Sequence, residues 1–450
     1  MSSPTESPVF EVPRPPRPGK RQRWRYLFLL FPIAVGVVAV VNGLSGGDES
    51  SGPTAKLAWW LDNTKAPLAP HDPVAWTSGD VLALAAGRQV TGYGVTDGTK
   101  RWAVPLTGDV CAASKLMSGG RIAVLHSDPG AKCGRVQVID VQRGTAVWQR
   151  PLPPWDSSGD KETQVVIADG VVAAQREDEG INAFRLRDGK PIWQRIGLVQ
   201  GCLYAGVGGG EALVAEQTCR GGLTTAVQSL HAANGKPRWT RVLGEDTGVA
   251  GIFSTNPVVI GTGDGYSGEV NEVMLLNKSG APAGRVKLGK DTKVQCATGE
   301  ATWCDGIVLN GTTAYVRVQV GEFSGANVVA YDLTIGRRLW KSDITDRAEL
   351  VPVGMDGARL IAAHPPVSSR KHGYSGEPST VVALDPRTGK SSELMSISES
   401  QTGVDEMIRS KGRLSWVNGL FVLVRQDSEP GSEPVLAVYE PPKNKAAPNQ

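Results

Sequence analysis

The chain of 450 residues is 40% hydrophobic and holds 55 Gly and 30 Pro, which suits a turn-rich all-β protein and speaks against a disordered one. Its formal net charge is +3, but residues 1–25 carry six basic and two acidic side chains, which leaves −1 for everything that follows. The basic balance belongs to a short tail, so a nucleic-acid-binding role for the main body is not expected.

Residues 1–25, rich in Pro and Ser, are expected to form a disordered basic tail. A polyproline ligand around Pro13–Pro18 is the alternative reading. From Tyr26 to Leu44 the chain runs 19 residues without a charge, close to the roughly 30 Å of a hydrocarbon core at about 1.5 Å per residue. This stretch reads as a single transmembrane helix; a cleaved signal peptide competes, although Ala39-Val40-Val41 is a poor small-residue cleavage site. The basic residues flank it on the N-terminal side, which places the N-terminus in the cytoplasm and the rest of the chain outside the cell membrane. Residues 45–56 form a Gly/Ser-rich linker and residues 441–450 a polar tail.

Between them, residues 57–440 carry a repeat. Asp140-x-x-x-Gly144-x-x-x-Trp148 and Asp332-x-x-x-Gly336-x-x-x-Trp340 show its full form, and Asp385-x-x-x-Gly389 keeps the first half. Gly98 with Trp102, Gly189 with Trp193 and Gly235 with Trp239 keep the second half without Asp at that place. The recurring Gly98, Gly144, Gly189, Gly235, Gly280, Gly336 and Gly389 are separated by 46, 45, 46, 45, 56 and 53 residues, the period of stacked supersecondary units. Short apolar runs such as Thr163–Ala168, Val171–Gln175 and Ile181–Leu186 lie between them, broken by Gly, Asp, Asn and Ser. These read as four strands a to d per unit, with the Asp/Gly turn joining c to d, where Gly supplies a positive φ and an Asx side chain bonds the turn's own backbone. Four strands and this period predict propeller blades.

The A-L-D-x-x-T-G-K pattern of Ala383–Lys390, with the Trp-bearing copies, resembles the repeat of the pyrroloquinoline-quinone-type eight-bladed propellers over roughly residues 57–440. The resemblance implies the fold, which quinoprotein dehydrogenases, outer-membrane assembly propellers and anchored binding propellers share. It also implies that Trp102, Trp148, Trp193, Trp239 and Trp340 dock between neighbouring blades. Strand groups fall over 74–103, 113–150, 163–196, 203–243, 256–288, 306–344 and 357–397, and an eighth, 412–439, has a, b and c but no d. The lone strand Lys56–Leu61 supplies it, closing an eight-bladed all-β propeller and removing the open edge. Blade 5 lacks the Trp, and blade 7 has Glu393-Leu394 in its place. Since the linker enters through a d-strand, the c-to-d turns are expected to face the membrane and the b-to-c loops to face outward.

Six Cys fall in the part placed outside, where disulfides persist. Cys111 and Cys202 sit in d-to-a connections and Cys133 and Cys219 in b-to-c loops on the same side, so Cys111–Cys133, Cys202–Cys219 and a local Cys296–Cys304 bridge are sensible among fifteen possible pairings.

Chemistry is sparse. Quinoproteins of this type stack adjacent cysteines on the quinone, and no adjacent pair exists here, so no cofactor is expected; a quinone-dependent dehydrogenase is the alternative reading. No metal-ligand spacing occurs among Cys and the five His, and His231 takes the place of a turn Asp. Asp264 between Gly263 and Gly265 reads as a hairpin turn, since the alternating carboxylates of a calcium loop are missing. One feature stands apart: Gly265-Tyr-Ser-Gly-Glu269 in blade 5 and Gly373-Tyr-Ser-Gly-Glu377 in blade 7 are identical, with Glu322-Phe323-Ser324-Gly325 in blade 6 between them. Tyr266, Glu269, Phe323, Tyr374 and Glu377 are therefore the candidate binding face for a protein or cell-envelope partner. The alternative is that they are turns inherited with the blade.

Overall fold

The computed structural model describes residues 54–442, except 63–72, 129–132, 155–162, 177–179, 197–200, 220–223, 245–246, 265–266, 290, 293, 297–303, 320–324, 344–348, 366–367, 370–372, 375–377, 398–403, 405–406, 409–411 and 427–433. The proposed span at residues 26–44 lies outside the described residues. Among the described residues no helix is long and apolar enough to cross a membrane.

Eight antiparallel sheets of four strands form an all-β, eight-bladed propeller. Blade 1 runs Val74–Ser78, Val81–Ala86, Gln89–Gly94 and Lys100–Pro105, and the next six blades repeat this a-b-c-d order along the chain. Blade 8 takes Gly412–Val417, Leu420–Arg425 and Pro434–Glu440 from the C-terminal end and Lys56–Asp62 from the N-terminal end. These last two pair antiparallel, Lys56 opposite Glu440 and Trp60 opposite Ala437. Every blade strand therefore lies within residues 56–440.

The strands read as near-continuous apolar runs because both faces of each blade are buried. Side chains alternate across a strand: in blade 1 Val81, Ala83 and Ala85 pack toward blade 2, and Leu82 and Leu84 toward blade 8. Each of the eight adjacent blade pairs shares one hydrophobic layer of this kind, and the layer holding Trp59, Leu61, Val422 and Val438 with Leu82 and Tyr93 closes the ring.

At the periphery the repeat motif forms a dock between neighbours. The Trp of one d-strand lies over the turn Gly of the next blade: Trp102 over Gly144, Trp148 over Gly189, Trp193 over Gly235, Trp239 over Gly280 and Trp340 over Gly389. Trp59 does the same over Gly98, so the N-terminal strand is a full member of the series. A Cβ on Gly189 would come within 2.5 Å of the Trp148 ring, and its φ of +70° already disfavours any side chain. The indole nitrogens of Trp59, Trp148, Trp193 and Trp340 donate to Val95, Leu186, Ala232 and Pro386 carbonyls at 2.6–2.8 Å, each three residues before the covered Gly.

The structure departs from the sequence reading at blades 2, 5 and 7, whose first strands, Val110–Ala113, Gly248–Thr255 and Val351–Asp356, begin ahead of 113, 256 and 357. Gly248 and Gly251 resemble breakers, but Gly251 is needed for contact, since a Cβ there would meet the Cys304 and Cys296 sulfurs at 2.5 and 2.6 Å. Blade 5 also replaces the dock. Gly284 stands in the Trp position, and the next turn's backbone moves in against it, with the Leu333 carbonyl where a Cβ would be.

Two outcomes test this architecture. Deleting residues 54–62 should expose a sheet edge and cause aggregation in size-exclusion chromatography, whereas deleting residues 443–450 should leave elution and melting unchanged. Trp148→Ala should cost about 3–5 kcal/mol in denaturant unfolding, and Gly189→Ala should destabilise as well.

Candidate functional site

The three loops singled out in the sequence join strands b and c of blades 5, 6 and 7, so they belong to adjacent blades. Tyr266, Phe323 and Glu377 lie outside the described residues. Tyr374 is described by its backbone, which pairs with Ser368 in a short hairpin of Ser368–Ser369 and Gly373–Tyr374. Glu269 is exposed.

The blade 5 loop is more than a hairpin turn. The Asp264 carboxylate accepts from the Ser267 amide at 2.9 Å and from its hydroxyl at 3.0 Å, and the Ser267 hydroxyl oxygen accepts from the Glu269 amide at 3.1 Å. The loop is then tied to the connection that follows the blade, where the Cys296 amide donates to the Gly268 carbonyl at 2.9 Å. That connection is itself a disulfide-closed hairpin, Gln295–Cys296 with Cys304–Asp305. A side-chain and disulfide scaffold, with neighbouring Val270 and Cys296 buried in the layer between blades 5 and 6, thus fixes Glu269.

The other two bridges staple the same side of blades 2 and 4. Cys111 is bonded to Cys133, with Cα atoms 6.0 Å apart, and Cys202 to Cys219 at 3.9 Å. Cys111 and Cys202 belong to strand a and Cys133 to strand c, so the strands extend further into these connections than the sequence pattern suggests. No free cysteine remains.

A charged cluster that no local pattern announces occupies the central channel. Lys115 comes from the a-b turn of blade 2, Asp305 from the hairpin before blade 6, Arg317 from strand b of blade 6 and Arg413 from strand a of blade 8. Lys115 and Asp305 are both exposed, yet nearby protein atoms desolvate both charges. Desolvation lowers the Lys115 pKa to about 8, the like charge of Arg413 adding and Asp305 opposing. Burial raises the Asp305 carboxyl, against the pull of Arg413, Lys115 and Arg317. Arg317 also contacts Glu349. Beside Lys115 lies a cavity of about 250 Å³ lined by residues of four blades, among them Leu116, Ile167, Glu211, Phe253 and Asn256.

A closed eight-bladed ring with Trp–Gly docks and disulfide-stapled loops defines a propeller of the pyrroloquinoline-quinone-repeat class. The chain belongs to the family described as outer membrane protein assembly factor BamB, whose profile matches residues 49–279. It is 26% identical over 253 residues to the outer membrane protein assembly factor BamB of Burkholderia pseudomallei, a match that covers 54% of this chain and 61% of that relative's length. Among solved structures, BamB from Moraxella catarrhalis superposes with a TM-score of 0.51 at 13% identity, over 88% of this chain and all of that one. The computationally designed Ika8 protein superposes at 0.55 and 12% identity, over 83% and 98%. These two superpositions show the fold alone. The donors of a quinone site of the adjacent-cysteine type are not assembled: the most closely spaced bonded cysteines are 8 residues apart, and among the described residues no three His, Cys, Asp or Glu could hold a metal ion.

The channel chemistry can be checked by amine labelling. With its pKa lowered to about 8, Lys115 is neutral at pH 8 far more often than an ordinary lysine. Limited acylation followed by peptide mass mapping should therefore modify Lys115 ahead of exposed Lys190 and Lys236, and the preference should fade when the reaction is run near pH 10.

Proposed function

We propose that this protein is a non-enzymatic binding and scaffold propeller of the cell envelope, held by a single membrane span at residues 26–44 with its N-terminus in the cytoplasm. The observation that carries the binding role is the repeated loop. Adjacent blades 5, 6 and 7 bear two copies of Gly-Tyr-Ser-Gly-Glu and one Glu-Phe-Ser-Gly at the same b-to-c place, and the described part of the blade 5 loop is built by its own side chains and a neighbouring disulfide hairpin. A closed, rigid ring holds such loops in register, and aromatic side chains on Gly/Ser loops supply contact area at small entropic cost. The family and the relative named an outer membrane protein assembly factor support a protein as the partner.

Replacing Tyr266, Phe323 and Tyr374 together by Ala should change unfolding free energy by no more than about 0.5 kcal/mol per site. The same change should weaken crosslinking-coupled capture of envelope partners at least roughly tenfold, because each buried aromatic anchor is worth about 2 kcal/mol or more. Unaltered capture, or an unfolded variant, would show that the loops are turns and not the binding face.

A further inference from the structure

The c-to-d turns of the ring hold their shape through one side-chain oxygen each. Asp97, Asp188 and Asp385 accept from the amides of Thr99, Lys190 and Arg387 at 3.0, 3.1 and 2.8 Å, and Asp140 and Asp332 do the same in blades 2 and 6. Blades 4 and 5 keep the hydrogen bonds but drop the charge. There Asn234 accepts from the Lys236 amide at 2.9 Å, and Asn277 from the Ser279 and Ala281 amides at 2.9 and 3.0 Å. An amide oxygen serves the turn as well as a carboxylate, so these two turns shed negative charge at no structural cost.

The same region gathers positive charge. The c-to-d hairpins of blades 3, 4 and 5, residues 185–196, 231–242 and 277–287, each carry a net +3, while the whole chain after residue 25 sums to −1. Lys190, Lys236, Arg238 and Lys278 are all exposed. Successive d-strands run head to tail around the rim. The Arg195 guanidinium at the end of blade 3's d-strand donates to the Gly235 carbonyl in blade 4's turn at 2.8 Å, and Trp239 of blade 4 covers blade 5's Gly280. One residue past Arg195, Ile196 is 64% exposed, and at the end of blade 4's strand Val242 is 57% exposed. Bare aliphatic side chains thus alternate with lysine-bearing turns along one convex arc.

We infer that this arc is a surface for an anionic lipid bilayer. Lysines on short turns attract acidic headgroups, and isolated aliphatic side chains between them gain by entering the headgroup boundary. A single-stranded nucleic acid would call for exposed aromatics on which bases stack. The Trp side chains of blades 3 and 4 are instead turned onto the neighbouring glycines. The lysines of the arc stand on c-to-d turns, at the strand ends opposite the b-to-c loops.

The test uses residues 47–450, which contain every strand of the closed ring, with vesicles of mixed phosphatidylglycerol and phosphatidylcholine and with phosphatidylcholine alone. Sedimentation should show binding to the mixed vesicles only, weakening as salt rises. Each of Lys190→Ala, Lys236→Ala and Lys278→Ala should reduce partitioning roughly fivefold, and the triple variant roughly a hundredfold. Ile196→Ser with Val242→Ser should reduce it while leaving the salt dependence unchanged, and Arg387→Ala with Lys390→Ala on blade 7 should leave it unaltered. Melting curves of the variants should overlay the parent, since all these positions are exposed. No binding to phosphatidylglycerol, equal binding to both vesicles, or binding of polyglutamate that is indifferent to the Ile196 and Val242 changes would overturn the inference, the last pointing to an acidic protein instead.

Discussion

The contact on which the ring depends is the indole of one blade laid on the turn glycine of the next. It combines two requirements that only Gly satisfies together, a positive φ in the turn and the absence of a Cβ under the ring. Trp59 on Gly98 shows that the join between chain ends uses this same dock, so the seam is packed like the other junctions. A ring closed in this way leaves only the short inner and outer edge of each four-stranded blade.

The exceptions follow from the same geometry. At blade 5 the large side chain is missing and the neighbouring backbone fills the space, which requires Gly284 instead of Trp. Between blades 7 and 8 there is no turn to cover, because strand c of blade 8 ends at Glu440 and its d-strand begins at Lys56 at the other end of the chain. The absence of Trp at Glu393 is then expected, and Leu394, Leu57 and Met407 pack in the layer there.

The ring order, the seam strand and the docking Trp residues were legible in the sequence because the motif that marks them is local and repeats with a fixed period. The turn oxygen was only half legible. Asp140, Asp332 and Asp385 stand four residues before Gly, as the motif has it, while Asp97, Asp188 and Asn234 perform the same task from the position just before Gly. The first strand of blade 5 was missed because its glycines serve contact with a disulfide rather than a turn. The channel cluster was illegible for a different reason: Lys115, Asp305 and Arg413 come from blades 2, 6 and 8, and nothing in their local sequence records that closure brings them to one axis. The loop face lies between these cases, since its repetition is visible in the sequence while the binding role proposed for it depends on aromatics at Tyr266, Phe323 and Tyr374.

The ring carries the loops of blades 5 to 7, the channel cluster and the basic arc on one scaffold. That scaffold rests on closure by residues 56–62, and native-state hydrogen exchange measures it directly. Amides of Lys56–Asp62 should exchange as slowly as those of strand b and strand c in blades 1 and 8, with the ring opening as one unit. Fast exchange of Lys56–Asp62 while the other blades stay protected would contradict closure by the N-terminal strand and leave blade 8 with three strands.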